Sequence, residues 1–205
     1  VAHEPAPAFY FLSRLTSAHV KVALTGQGAD EPWAGYDRYL GVKLSSIYSR
    51  LPSAITRRVA PLIAALPLPM ERFKRGAMSL GEPDVLTRFA KIYSFFSADM
   101  KSQLYKGGLK ERFDAANHGT KEALRRLQSD VKHLDPLSQM LYIDTRANLP
   151  DDLLMVADKT SMANSLEVRV PFLDRRLVEF VESLPSNMKL RGWTGKYLHK
   201  RAMTK

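Results

Sequence analysis

The chain has 205 residues, enough to bury one sizeable core, and its 45% hydrophobic and 25% charged content is that of a globular protein rather than a disordered one. It has no cysteine, which excludes disulfides, thiolate metal sites and a cysteine nucleophile, and no apolar run approaches the ~20 residues that span a bilayer. The net charge of +10 suggests a polyanionic partner, but the cations stand in separate doublets (Arg57-Arg58, Lys74-Arg75, Arg125-Arg126, Lys200-Arg201), which reads as solvated helix faces rather than a nucleic-acid surface.

In chain order, Phe9 to Ala18 carries apolar residues at helical spacing, Phe9, Leu12 and Leu15. Val20 to Leu24 is a short strand, apolar on both faces as a buried parallel strand would be. Asp37 to Leu51 is helical, and a further helix opens at Ser53 and stops at Leu66-Pro67. Residues 70–80 are basic and loosely patterned. Pro83 to Phe96 is a helix with Val85, Phe89, Ile92 and Phe96 on one stripe, and Phe95-Phe96 is expected in the core. Ala98 to Leu104 and Lys121 to Leu127 read as short helices. Asp135 caps a helix with Pro136 in its first turn, which runs to about Asn148.

Leu149-Pro150 reads as a turn, Asp151 to Met162 as a helix, and Pro171-Phe172-Leu173 as a bend. Asp174 caps Arg175 to Ser183, which Pro185 closes. The expectation is a mostly α chain with one or few parallel strands. Val1 stands where a Met would open a gene product, and Lys196 to Lys205 keeps helical spacing with no stop signal, so a piece of a longer protein is expected. The start has no basic flank leading an apolar stretch, and the lack of cysteine fits a reducing cytoplasm.

Chemistry concentrates in two segments. Val22-Ala23-Leu24 breaks into Thr25-Gly26-Gln27-Gly28-Ala29-Asp30-Glu31, with Trp33-Ala34-Gly35-Tyr36 beyond. Glycines at a strand end let the backbone approach a ligand, offering amides to a phosphate and a carboxylate to a hard cation; a plain turn with a helix-capping acid has the same composition. The second segment is Pro150-Asp151-Asp152-Leu153-Leu154-Met155-Val156-Ala157-Asp158-Lys159-Thr160-Ser161-Met162-Ala163-Asn164-Ser165-Leu166-Glu167-Val168-Arg169-Val170-Pro171-Phe172-Leu173-Asp174. It resembles the signature of the asparagine synthetase family, in its ATP-using synthetase domain. The first loop and the closing run Lys189-Leu190-Arg191-Gly192-Trp193-Thr194-Gly195-Lys196-Tyr197-Leu198 are similar to that family's motifs and keep their order.

The resemblance implies a glutamine-hydrolysing amide ligase of which residues 1–205 are the C-terminal part of the synthetase domain. The parent fold would be α/β, of the adenine nucleotide alpha-hydrolase-like (PP-loop ATPase) type. Aspartate would be activated by ATP as β-aspartyl-AMP, and ammonia from glutamine would displace AMP. Such chemistry needs Mg²⁺ on the phosphates, a cation on the departing pyrophosphate and a cradle of backbone donors.

By the same resemblance, Asp30 matches the Mg²⁺ ligand. Thr25, Gly26, Gln27 and Gly28 line the nucleotide, and Lys159 contacts the phosphates, although the residue alone reads as a solvent-facing lysine. Lys159 and Asp30 are therefore expected to converge on one triphosphate pocket. Tyr36 either stacks near the loop or is a core tyrosine. Glu31, Asp158, Arg169 and Asp174 are expected to buttress the site, with Asp158 paired to Lys159 or Arg169, and Asp174 paired to Arg169. His3, His118, His133 and His199 show no metal-ligand spacing, and Ser161 and Ser165 lack a His/Asp set.

Several residues depart from the family pattern. Gln27 stands where many relatives carry a carboxylate linked to handling the acyl-adenylate and the amine, and an amide cannot act as a base. Ala34 stands where relatives often have Gly. Neither the family's Ser-Gly-Gly-x-Asp-Ser ATP loop nor its leading glutaminase Cys occurs in the 205 residues, so the chain alone is expected not to turn over. The alternatives are a related acyl-adenylating ligase (β-lactam synthetase or peptide-cyclising type) and a non-catalytic helical module for an anionic partner. The expected partners are small molecules (aspartate, ATP, ammonia), not nucleic acid or membrane; a homo-oligomeric parent stays open.

Overall fold

A computed structural model describes residues 5–48, 84–93, 96, 100 and 103–204. The helix expected from Ser53 and the basic stretch 70–80 lie outside them. The described elements are α1 (Ala6–Ser17), β1 (Val22–Leu24), α2 (Arg38–Tyr48), α3 (Val85–Tyr93), α4 (Leu109–Val131) and α5 (Pro136–Arg146). A π-helical segment, Leu149–Leu154, then runs into α6 (Met155–Met162). Next come β2 (Glu167–Arg169), a 3₁₀ turn at Pro171–Leu173, α7 (Arg175–Ser183), α8 (Ser186–Lys189) and α9 (Tyr197–Met203). The chain divides into two compact units, Val1–Gly35 with Leu141–Lys205, and Tyr36–Met140.

In the first unit β1 and β2 pair in parallel, Val22 with Glu167, Ala23 with Val168 and Leu24 with Arg169. The pairing extends by one bond at each end, from Glu167 N–H to Lys21 O at 3.0 Å and from Thr25 N–H to Arg169 O at 2.9 Å. β2 is a strand that the sequence analysis overlooked, although Leu166-Glu167-Val168-Arg169-Val170 alternates apolar and charged residues. β1 is parallel as expected but not buried: Val22 and Leu24 are exposed. α1 forms from its expected apolar spacing and packs on α6, yet it buries Ser13 and turns Leu12 and Leu15 outward.

The turn expected at Leu149-Pro150 is helical instead. Pro150 sits in the first turn, where a missing N–H costs nothing, and the wide π segment continues into α6. Asp174 caps α7 as expected, accepting from Arg176 N–H at 3.0 Å and Leu177 N–H at 3.3 Å. α5 and α7 are tied by a two-pronged ion pair from Arg146 to Glu182, at 2.5 and 2.9 Å, with the Arg146 guanidinium 3.6 Å from the Tyr142 ring.

The second unit buries Tyr39, Val42, Val85, Phe89, Val131, Leu137 and Met140. Asp84 caps α3, accepting from Thr87 N–H at 2.8 Å and Thr87 Oγ1 at 2.7 Å. Partial burial works to raise the pKa of Asp84, but the Thr87 and Leu86 hydrogen bonds and the Arg125 charge prevail and hold it below the usual range. Of the two phenylalanines expected in the core, Phe96 is exposed, and Phe95 lies outside the described residues. α4 is far longer than the expected Lys121–Leu127, because Gly119 interrupts the sequence pattern without breaking the helix, at a cost of about 1 kcal/mol. Asp135 caps α5 as expected, accepting from Leu137 N–H at 3.1 Å and Ser138 Oγ at 2.6 Å.

Candidate functional site

The glycine loop leaves β1 at Thr25 and turns at once, with Ala29 N–H donating to Gly26 O at 3.3 Å. Gly28 has φ +79°, and a side chain there would run into Leu173 of the 3₁₀ turn, so the loop is seated against that turn. From Gly28 to Ala34 the segment is buried apart from Asp30, which is half-buried. A loop this buried is fixed in shape before any ligand arrives.

Asp30 is held by Lys196, whose Nζ lies 2.7 Å from Oδ1. Two backbone contacts fix this pair: Lys196 N–H donates to Trp33 O at 3.1 Å, and Gly35 N–H donates to Asp30 O at 2.8 Å. Gly35 lies under both side chains, since a Cβ there would strike the Asp30 carboxylate and Lys196 Cε. Gly195 lies so close to the Ala34 carbonyl that a Cβ there would overlap it. Lys196 and Ala34 both adopt left-handed backbone, φ +52° and +57°, a conformation that non-glycine residues keep only when the surroundings impose it. For Ala34 this explains why glycine is the residue that fits the position without strain.

Gln27 reaches toward the π-helical segment. Its Nε2 lies 3.5 Å from Leu153 O, a long contact, while its Oε1 is buried with no hydrogen-bond partner among the described residues. π segments inside helices recur at functional sites. Trp33 is buried with its Nε1 also unpartnered among the described residues, and its ring faces His199, which in turn faces Phe172 edge-on, each at 5.4 Å. At the start of α9, the Tyr197 hydroxyl accepts from Arg191 at 2.7 Å and Arg201 at 3.1 Å. The Arg201 hydrogen bond and both positive charges hold the Tyr197 pKa below the usual range despite some desolvation.

The remaining sequence candidates fall as follows. Glu31 is fully buried, which suits an orienting role in the loop. Lys159 and Asp158 are exposed on α6, and no hydrogen bond or ion pair joins either side chain to Asp30, to Arg169 or to each other among the described residues. The expected pairing of Asp158 is therefore corrected. Arg169 is exposed and pairs with Glu167 at 2.7 Å, not with Asp174, whose carboxylate is engaged in capping α7. The reason is strand geometry: residues 167 and 169 share one face of β2. Tyr36 belongs to the second unit, where its ring carries the Arg38 guanidinium at 3.8 Å.

Lys196 is the residue that sequence reasoning left without a role. Its signal was the preceding Gly195, the kind of glycine a close backbone approach demands. As for a metal, no group of three or more His, Cys, Asp or Glu capable of holding one occurs among the described residues. A single carboxylate such as Asp30 suits Mg²⁺ that arrives on substrate phosphates, because that ion keeps most of its ligands from phosphate and water. No helix among the described residues is long and apolar enough to cross a membrane.

The asparagine synthase family model matches residues 1–205. The chain is 29% identical over 202 residues to asparagine synthetase (glutamine-hydrolyzing) 1 of Bacillus subtilis (strain 168), a match covering 98% of this chain and 31% of that protein. It is 31% identical over 197 residues to a putative asparagine synthetase (glutamine-hydrolyzing) of Mycobacterium bovis, covering 95% of this chain and 28% of that protein. It is 26% identical over 212 residues to amidase chyE of Penicillium rubens, covering 91% of this chain and 30% of that protein. The chain thus spans about a third of the length of these curated relatives. No solved structure matches it significantly.

Proposed function

We propose a function on one premise: the chain belongs to the asparagine synthase family. The polypeptide that contains it is an ATP-dependent ligase that forms asparagine. The β-carboxylate of aspartate attacks the α-phosphorus of ATP and pyrophosphate leaves. Ammonia released from glutamine then attacks the acyl carbon, and AMP departs. Residues 1–205 form one piece of the synthetase domain, whose complete fold is of the PP-loop ATPase type.

The observation that carries this reading is the Asp30–Lys196 pair at 2.7 Å, built on a buried glycine loop at the end of a parallel strand. Strand ends of this kind are where α/β sheets bind ligands. Asp30 would hold Mg²⁺, which neutralises phosphate charge. Lys196, and Lys159 from α6, supply the cations for the leaving pyrophosphate, and the backbone N–H groups from Thr25 to Gly28 face the nucleotide. Buried Glu31 orients the loop, and Asp174 holds the backbone that follows the 3₁₀ turn by capping α7.

A second reading is a related acyl-adenylating ligase with another nucleophile or acid. It is favoured by the neutral Gln27 and by the likeness to a protein named an amidase. Pyrophosphate release by the full-length polypeptide decides between them. Release that requires aspartate supports the first reading, and release with other acids only supports the second. Asp30→Asn should abolish release in either case. The 205-residue chain alone is proposed not to bind Mg-ATP tightly, and micromolar affinity by calorimetry would overturn that.

A further inference from the structure

We propose that Arg191, Tyr197 and Arg201 form a surface site for the phosphate group of a small molecule, built from residues other than the Asp30–Lys196 pair. The inference does not rest on the proposed reaction.

Two elements bring these side chains together. Arg191 opens a four-residue turn closed from both sides, with Arg191 N–H donating to Thr194 O at 3.0 Å and Thr194 N–H to Arg191 O at 2.9 Å, so its backbone is fixed. Tyr197 and Arg201 stand four residues apart on α9, which puts them on one face of the helix. Lys196, the residue before α9, sends its side chain to Asp30 instead. Both guanidinium groups donate to the one phenol oxygen, Arg191 at 2.7 Å and Arg201 at 3.1 Å. Two like charges drawn to one point repel, and an anion between them relieves the repulsion. The chain supplies none: neither guanidinium has an ion pair among the described residues, and residues 183–205 carry six Lys or Arg and no Asp or Glu. Arg191 and Arg201 are exposed, so a ligand from solvent can reach them.

The donors left over define the ligand. A guanidinium has several N–H groups in a fixed fork, and each arginine gives one of them to the phenol. The Tyr197 hydroxyl accepts twice and keeps its own proton, which has no acceptor among the described residues. The Arg201 hydrogen bond and both positive charges lower the pKa of Tyr197 despite some desolvation, which makes that proton a stronger donor. Donors thus converge from three directions. A carboxylate, with its two oxygens in one plane, engages a single guanidinium fork. A phosphate, with oxygens at tetrahedral corners, reaches both forks and the hydroxyl, and its second negative charge answers the second arginine.

The test is phenylglyoxal labelling of the full-length polypeptide, with each modified arginine followed by mass spectrometry. Inorganic phosphate should slow the labelling of Arg191 and Arg201 by ~10-fold and leave that of exposed Arg126, 3.7 Å from Glu122, unchanged. Acetate at the same concentration should protect neither site arginine. Tyr197→Phe, which removes the third donor, should cut the phosphate protection several-fold, and Lys196→Met should keep it in full. Pyrophosphate and AMP separate the two sources of the group: the better protector is the one the site takes, a free polyphosphate or a nucleotide. Equal protection by acetate, or none by phosphate, pyrophosphate and AMP, overturns the proposal. So does undiminished protection in Tyr197→Phe. Protection that Lys196→Met abolishes overturns it as well, because the anion then sits at the Asp30–Lys196 pair. If Tyr197→Phe does not fold, labelling of the wild type decides alone.

Discussion

Lys196 Nζ and Asp30 Oδ1 stand 2.7 Å apart, brought together by the head of α9 and a loop more than 160 residues earlier. Each side chain is a quarter to a third exposed, so the pair contributes little to stability, about 1 kcal/mol or less. Its value is chemical, a fixed cation beside a fixed carboxylate. Lys196→Met in the full-length polypeptide should therefore slow aspartate-dependent pyrophosphate release by ~10²–10³-fold while shifting stability by no more than about 1 kcal/mol. Parallel activity and urea-unfolding measurements check this, and an unchanged rate would remove Lys196 from the chemistry.

Two glycines beneath this pair should respond differently to alanine. At Gly195 the added Cβ meets the Ala34 carbonyl, which is backbone and cannot swing aside. At Gly35 it meets the Asp30 carboxylate and Lys196 Cε, which can rotate away. Gly195→Ala should destabilise the chain by about 1–3 kcal/mol. Gly35→Ala should cost less stability but separate the pair, so activity falls with the fold largely kept. The two unfolding midpoints, read beside the rates, make the comparison.

The legibility of this chain follows from which interactions are local. Asp135, Asp174 and Pro185 fixed helix ends from sequence because capping and the missing proline N–H act within a few residues. The apolar spacing of Phe9, Leu12 and Leu15 marked a helix but not its covered face, since what lies against a face is set by distant residues. β2 went unseen because three paired residues among charged neighbours carry little propensity, and their partner is 145 residues away. At the site, Asp30 and the glycines were legible as a strand-end loop. Lys196 was not, because its position depends on Gly195 meeting the Ala34 carbonyl across the whole length of the chain.

Ala34 offers a test of backbone strain. It is buried at φ +57°, where a non-glycine residue costs about 1–2 kcal/mol. Replacing it by Gly relieves that cost but adds unfolded-state entropy of about 0.4–1 kcal/mol and removes a buried methyl worth about 0.8 kcal/mol. These terms nearly cancel, so Ala34→Gly should be neutral within about 0.5 kcal/mol. Ala157, buried within α6 in ordinary helical backbone, has no strain to relieve, and Ala157→Gly should cost about 2 kcal/mol. Equal losses at the two positions would show that Ala34 is not strained.

Asp84 gives the second unit a dependence on acid. Its carboxylate is held below the ordinary value of 3.8 by the Thr87 and Leu86 hydrogen bonds, which outweigh desolvation. A carboxylate with a depressed folded pKa stabilises fully above the unfolded value and loses that contribution as pH falls through the folded one. Asp84→Asn should therefore be less stable than wild type at neutral pH, with the gap narrowing below pH 3.8. Hydrogen exchange of the first turn of α3 at neutral and acid pH reads this locally. A gap that widens in acid would have the sign wrong.

Gln27 makes the sharpest demand on charge. Its Nε2 faces Leu153 O, and its Oε1 is buried without a partner among the described residues. Gln27→Glu removes the donor and sets a carboxylate against a carbonyl in a site of low polarity, which should cost about 1–3 kcal/mol at neutral pH. Gln27→Met keeps the bulk and introduces no charge, so it should cost less. Burial raises the folded pKa of the new Glu above its unfolded value of about 4.3. The charge penalty is then absent below that value and grows as pH rises through the folded pKa. Urea midpoints of the two variants should thus converge near pH 4 and separate by pH 7; a Glu variant as stable as the Met variant at pH 7 would mean that water reaches residue 27 freely.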